Sequence, residues 1–127
     1  MNNKLLIVTH GSLGIALIDV ARKVIGEVKD EVIVPVSNEN MSTSELAERI
    51  RMITESDIDS FYIIATDFPG GSCFIASRKV ASSSKRITSV SGVNISMVLS
   101  FLTKRELYPG IQLTEIIKTD GNRAIIS

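Results

Sequence analysis

Apolar residues fall in short blocks along the chain, and the blocks alternate between two spacings. The first, Leu5-Leu6-Ile7-Val8, is continuous, as expected of a central strand covered on both faces, and predicts a strand over Lys4 to Thr9. After Gly11 the spacing changes to three and four. Leu13, Ala16, Leu17, Val20, Ala21, Val24 and Ile25 share one stripe, with Asp19, Arg22 and Lys23 on the other side. That predicts a helix capped by Ser12 and ended by Gly26. A Val- and Ile-rich run from Glu31 to Val36 predicts the second strand. Ser42 and Glu45 make a capping-box spacing, and Leu46, Ile50 and Ile53 line the helix expected to run to Glu55.

The third strand is expected over Asp59 to Thr66 and ends at Asp67. Phe68-Pro69-Gly70-Gly71-Ser72 then reads as a turn that opens a helix over Ser72 to Ala81, with Phe74, Ile75, Ala76 and Val80 toward the core. Arg86 to Ser91 is short and half polar, which suits a strand near a sheet edge. Asn94 can cap a helix carrying Met97, Val98, Phe101 and Leu102. Tyr108-Pro109-Gly110 breaks the chain before a last helix over Ile111 to Lys118. Asp120-Gly121 is a turn signal, and Arg123 to Ile126 reads as a final short strand.

Strands alternating with helices imply an α/β fold with a mostly parallel sheet. Under a strand order of 2-1-3-4, the first and third strands are neighbours, and the loops carrying His10 and Asp67 face each other. The pattern alone does not select that order. In such sheets ligands bind beyond the carboxyl ends of the strands, which is where the only histidine of the chain falls.

Composition narrows the function more than the fold. The 127 residues suit one domain of ordinary size, expected to span 1–127. With 14 basic and 14 acidic residues the formal net charge is zero, so nothing predicts attraction to nucleic acid. No apolar run approaches the ~18 to 20 residues a membrane span needs. Met1-Asn2-Asn3-Lys4 leads straight into a strand, unlike a signal peptide, and the single cysteine excludes an internal disulfide. The expected location is the cytoplasm.

An imidazole is nucleophilic near neutral pH, since its ordinary pKa is about 6.5. Expected helix N-termini at Ser12 and Ser72 favour anions, and Gly70 and Gly71 would let backbone amides approach a phosphate. Asp67 could accept a hydrogen bond from one ring nitrogen and leave the other free to attack phosphorus. Simpler readings stand beside these. His10 could be incidental, Asp67 could cap the turn before Pro69, and the two glycines could serve only the turn. Cys73 reads as a small buried hydrophobe.

Other chemistries fit worse. Gly11-Ser12-Leu13-Gly14 lacks the Gly-Lys-[Ser/Thr] ending of a phosphate-binding P-loop. No acidic residue ends the second strand to hold a ribose. A receiver domain has an aspartate after its third strand, as here, but wants an acidic pair where this chain has Thr9-His10. One His and one Cys cannot build a zinc site unaided, so no metal and no cofactor are expected. Ser12 and His10 are too close in one loop for a triad.

Taken together, Thr9-His10-Gly11 ending the first strand, Asp67 after the third, Gly70-Gly71-Ser72 opening the next helix and Gly92-Val93-Asn94 after the fourth strand resemble the IIA domain of the mannose-type sugar phosphotransferase system. The resemblance runs along nearly the whole chain. It implies that His10 takes phosphate on Nε2 from the histidine phosphocarrier protein and passes it to a IIB domain, serving membrane IIC and IID subunits indirectly. Asp67 is then the orienting partner, and Gly11, Ser12, Gly70, Gly71 and Ser72 surround the phosphate. It implies a cytoplasmic homodimer in which the last strand is exchanged, antiparallel to a four-stranded sheet of order 2-1-3-4 with helices on both faces. Cys73 and Ser96 stand where the family commonly has proline, and Phe68-Pro69 replaces a Thr followed by a large residue. These differences alter loop stiffness and the docking surface rather than the nucleophile. No IIB domain is expected within the chain. The alternative function is a regulatory or dihydroxyacetone-kinase-linked phosphoryl-transfer domain of the same kind.

Overall fold

The computed structural model describes residues 2–127. Four parallel strands, β1 (Asn3–Thr9), β2 (Ile33–Ser37), β3 (Phe61–Thr66) and β4 (Ile87–Ser91), lie in the order β2-β1-β3-β4. Between and after them run α1 (Leu13–Ile25), α2 (Thr43–Glu55), α3 (Gly71–Ala81), α4 (Ile95–Lys104) and α5 (Gly110–Arg123).

Side chains alternate across the pleat, so each central strand feeds two cores. Leu5, Ile7, Ile63 and Ala65 pack with α1, α4 and α5, while Leu6, Val8, Tyr62 and Ile64 pack with α2 and α3. The continuous apolar runs of β1 and β3 follow from this double burial. Pro35 donates no ladder bond and sits in β2, an edge strand that pairs only with β1. β4 forms the opposite edge, as its half-polar sequence predicts. The capping box forms: Ser42 accepts from the Glu45 amide at 3.1 Å and donates its own amide to the Glu45 carboxylate at 2.9 Å. Asn94 accepts from the Met97 amide at 3.0 Å, also as expected.

Five local expectations are corrected. The second strand begins at Ile33, after a turn, rather than at Glu31. α5 runs through Asp120-Gly121 to Arg123, and residues 124–127 form no strand within the chain. The turn signal is overridden because buried Gly121 lets α5 meet α4 closely; a Cβ there would lie 2.2 Å from Met97 Cγ. In α3 the buried face is Cys73, Ala76, Ser77 and Val80, while Ile75 is exposed. In α1 the buried residues are Gly14, Ile18 and Ala21; of the predicted stripe Ala21 is buried and Leu17 packs partly buried against the core, while Leu13, Val20 and Val24 face outward. Gly14 decides that choice of face: a Cβ would sit 3.1 Å from the Ile7 carbonyl oxygen, so the helix rests on β1 at its glycine. Finally, Ser12 makes no side-chain cap bond to α1.

Candidate functional site

β1 and β3 are adjacent, with Val8 opposite Thr66, so the residues that follow them emerge side by side at the carboxyl end of the sheet. Thr9 does the work expected of Ser12. Its buried hydroxyl accepts from the Gly14 amide at 2.9 Å and ties the start of α1 to the end of β1. The loop after β2 joins the same place, with the Asn38 amide donating to the Thr9 carbonyl at 3.1 Å.

His10 and Asp67 meet across this gap. The His10 Nδ1 lies 2.8 Å from Asp67 Oδ2, and the His10 backbone amide donates to the same oxygen at 2.9 Å. The Phe68 amide donates to Oδ1 at 3.1 Å. A carboxylate accepts only, so the Nδ1 contact requires the ring proton on Nδ1, leaving Nε2 with a lone pair. The Asp67 side chain is 8% exposed and the imidazole 40% exposed, so the anion is sheltered and the ring is open to solvent. Burial pushes the Asp67 carboxyl up, but the His10 amide and ring hydrogen bonds outweigh it and hold the carboxyl below its usual 3.8.

Two further groups shape the ring's surroundings. Phe68 stacks on the imidazole with centroids 5.0 Å apart and planes 19° apart. Gly71 borders the Cε1–Nε2 edge; a Cβ on it would lie 3.5 Å from both atoms. Gly70 and Gly71 both have positive φ, +125° and +73°, a backbone course that side-chain-bearing residues rarely take. The free N-terminal amides of α3 therefore begin beside Nε2, with no acidic residue in the first turn. A nucleophilic nitrogen, a fixed tautomer and an amide-rich, partially positive border suit attack on an anionic electrophile.

The structure brings His10, Asp67, Gly71 and the start of α3 together. Ser72 is half-buried and accepts from the Asn38 side chain at 3.4 Å. Gly11, with φ +58°, follows the imidazole directly, Gly70 has open space about it, and Ser12 is exposed. Sequence reasoning missed Thr9 as the cap, Asn38 as a bridge and Phe68 as the stacking partner. For Phe68 the signal was available, as an aromatic residue held in extended backbone by the following proline beside a candidate nucleophile. Cys73 is buried beneath the site, and burial and the nearby Asp67 charge push its thiol up to about 11, so it is a neutral thiol.

A family model described as EIIA-man, PTS system fructose IIA component, matches residues 4–118. No curated protein sequence matches the chain. Several solved structures share its fold. The phosphotransferase system component EIIA from Streptococcus agalactiae is 22% identical, covering 98% of this chain and 96% of that one, with a TM-score of 0.85. The PTS IIA protein associated with the fucose utilization operon from Streptococcus pneumoniae is 16% identical, covering 100% of this chain and 93% of that one, with a TM-score of 0.85. The mannose/sorbose specific IIA subunit from Enterococcus faecalis, 19% identical, covers 100% of this chain and 95% of that one at a TM-score of 0.80.

Proposed function

The chain belongs to the EIIA-man family of phosphotransferase-system components, and from that premise we propose that it is a single phosphocarrier domain, spanning 1–127, in which His10 is the phosphorylated residue. The observation that carries the reading is the Nδ1–Asp67 hydrogen bond at 2.8 Å, with the Nε2 edge against Gly71 at the start of α3. The Nε2 lone pair attacks phosphorus on the phosphohistidine of the carrier protein. The P–N bond to the carrier breaks and its imidazole leaves with the electron pair. Asp67 holds the proton on Nδ1 and stabilises the positive charge that develops on the ring. Gly11, Ser12, Gly70, Gly71 and Ser72 supply the surrounding amides and hydroxyls, stabilising a loose, charged transition state by placement and electrostatics. A second transfer, to a IIB domain, returns the ring to its neutral form and serves sugar import through membrane subunits.

Incubation with the phosphocarrier protein and phosphoenolpyruvate is expected to give one acid-labile, base-stable phosphate per chain, absent from His10→Ala. A stable phosphate on another residue, or none on the wild type, sinks the proposal.

The protein is further proposed to act in the cytoplasm as a homodimer. Among the described residues, no helix is long and apolar enough to cross a membrane. β4 is an open sheet edge, and Ile125 and Ile126 are exposed in the segment after α5. Sedimentation equilibrium is expected to give twice the chain mass of 13.8 kDa. A chain-mass species at micromolar concentration, unchanged by deletion of residues 124–127, overturns the dimer.

A further inference from the structure

Counting residue types in the sequence argues against zinc, because one histidine and one cysteine are too few. The fold changes the count. It adds the Asp67 carboxylate, and one donor atom each from His10, Asp67 and Cys73 lie within 4.8 Å of one another. Zinc–sulfur bonds of about 2.3 Å and zinc–nitrogen or zinc–oxygen bonds of about 2.0–2.2 Å put tetrahedral donors roughly 3–4 Å apart. The trio needs only side-chain adjustment to close on an ion. Its donor set also suits zinc rather than magnesium or calcium, which prefer all-oxygen shells.

From this juxtaposition we infer that His10, Asp67 and Cys73 form a three-ligand site for a zinc-like divalent cation, and that a bound ion silences the His10 nucleophile. Three protein donors leave one tetrahedral position for water, and the imidazole, 40% exposed, is the donor open to solvent. On binding, the Cys73 thiol gives its proton to solvent and becomes a thiolate ligand. Thiolate and carboxylate together neutralise the dication, so the filled site carries no net charge into a half-buried place.

The block on chemistry follows from the imidazole's electron count. A neutral ring has one N–H and one lone pair. An ion on Nε2 uses that pair directly. An ion on Nδ1 displaces the proton held there, and the neutral ring takes up its one N–H on Nε2 instead. Either way no pair is left to attack phosphorus. Asp67 is also diverted from the ring. Cys73 makes this chain distinctive, because its thiol stands at the third residue of α3, directly below the His10–Asp67 pair.

Ion binding stands on geometry alone; its effect on phosphoryl transfer rests on the function proposed above, and the test separates the two. The reduced chain of 127 residues is titrated with Co2+ and then with Zn2+ against a chromophoric chelator, before any phosphorylation. One ion per chain and a thiolate-to-cobalt charge-transfer band in the near ultraviolet are expected of the wild type, a readout that needs no variant. Cys73→Ser, close in volume at a buried position, is expected to lose the band and to weaken zinc by at least about 100-fold, the loss of a whole ligand exceeding that of an outer-shell partner. His10→Ala is expected to weaken zinc as well. Equal zinc affinity in wild type and Cys73→Ser, or a wild type without the band, overturns the site. In a second arm, stoichiometric zinc is expected to abolish phosphate acceptance by the wild type, and a chelator to restore it. Undiminished acceptance by the zinc-loaded chain overturns the silencing. Failure of the zinc-free chain to accept phosphate counts against the proposed function, while the cobalt titration still decides the ion site.

Discussion

The two ends of the β1–β3 pair carry the same kind of contact and use it differently. At the carboxyl end, a ring nitrogen of His10 meets Asp67 at 2.8 Å. At the amino end, Lys4 Nζ meets Asp57 Oδ2 at 2.7 Å. Around Lys4 the polar groups are committed. Asp57 also accepts from Ser60. The buried Asn3 amide donates to the carbonyls of Arg105 and Tyr108 at 2.9 and 2.8 Å, and Arg86 reaches the Thr54 carbonyl at 2.8 Å. Those bonds close helix ends and loops, which is the ordinary task of a polar group near a core. Around His10 the bonding stops one partner short. Three N–H groups hold the carboxylate, yet Nε2 is left without a partner beside Gly71 at the start of α3. A charged pair bonded into the surrounding helix ends and loops is a fastener; the same kind of pair with one ring nitrogen left over is a reagent.

Exchanging the two carboxylates for amides breaks the comparison most severely. Asp67→Asn is expected to slow phosphohistidine formation by roughly 10²–10⁴-fold, the range associated with losing a positioned acid–base or orienting group. The amide nitrogen can donate to Nδ1, which favours the tautomer with its proton on Nε2 and occupies the nucleophile. Asp57→Asn, at the other end, is expected to leave the rate within about twofold, since no group that it touches reaches His10. Rapid-quench measurement of both variants checks this. Equal slowing in the two would erase the distinction between the ends.

How much of that distinction the sequence carries depends on the kind of signal. The succession of elements as far as α5, the capping residues at Ser42 and Asn94, and the meeting of His10 with Asp67 were legible. They depend on local periodicity, short-range hydrogen bonds and the end of a strand. The rotation of α1 was not. The predicted stripe of Leu13, Ala16, Leu17, Val20, Ala21, Val24 and Ile25 is more apolar than the face of Gly14, Ile18 and Ala21, yet that face is the buried one and Ala21 alone belongs to both. Periodicity reports which face is apolar, not which face a glycine allows closest to a strand. The end of α5 was misread for a related reason: Asp120-Gly121 is turn-like in isolation, but the Gly121 contact with Met97 is a tertiary matter. The Phe68 stack and the Cys73 donor are likewise products of loop geometry that spacing does not encode.

A reciprocal pair of substitutions sharpens the contrast at intermediate size. Gly110 begins α5 against Phe61 at the amino end, where an added Cβ would lie 2.0 Å from a ring carbon. Gly110→Ala is expected to cost about 1–3 kcal/mol through overpacking, while the folded fraction accepts phosphate at the normal rate. Phe68→Ala at the carboxyl end is expected to behave oppositely. Phe68 is 49% exposed, so urea unfolding should shift by no more than about 0.5 kcal/mol. Loss of an aromatic contact worth about 0.5–1.5 kcal/mol lets the imidazole leave its productive orientation and slows acceptance about two- to tenfold. Phe68→Trp is expected to restore the rate.

The smallest effects lie in the pH dependence of stability, where the amino end has an alkaline component through Lys4 that is separate from the acid component at Asp67. Hydrogen bonding to Asp57 raises the Lys4 ammonium above its usual 10.5. A group whose pKa rises on folding stabilises the fold fully below the unfolded value, and that contribution is lost as pH climbs through the folded one. The amino end therefore weakens above pH 10.5. Asp67 moves the other way: despite the upward push of burial, its N–H partners bring it below 3.8. Its contribution is present above the unfolded value and is lost as pH falls through the lower folded one, so the carboxyl end weakens in acid. Urea unfolding at several pH values checks both. The stability difference between wild type and Lys4→Met should shrink on the alkaline side as Lys4 deprotonates and on the acid side as Asp57, held below its usual 3.8 by Lys4, protonates, and that between wild type and Asp67→Asn on the acid side. His10→Ala should reduce the acid-side loss, because two of the three N–H groups on Asp67 come from His10 and one of them from its ring. If the acid-side loss is untouched by that substitution, the imidazole does not hold the carboxylate, and the two ends differ less than their geometry indicates.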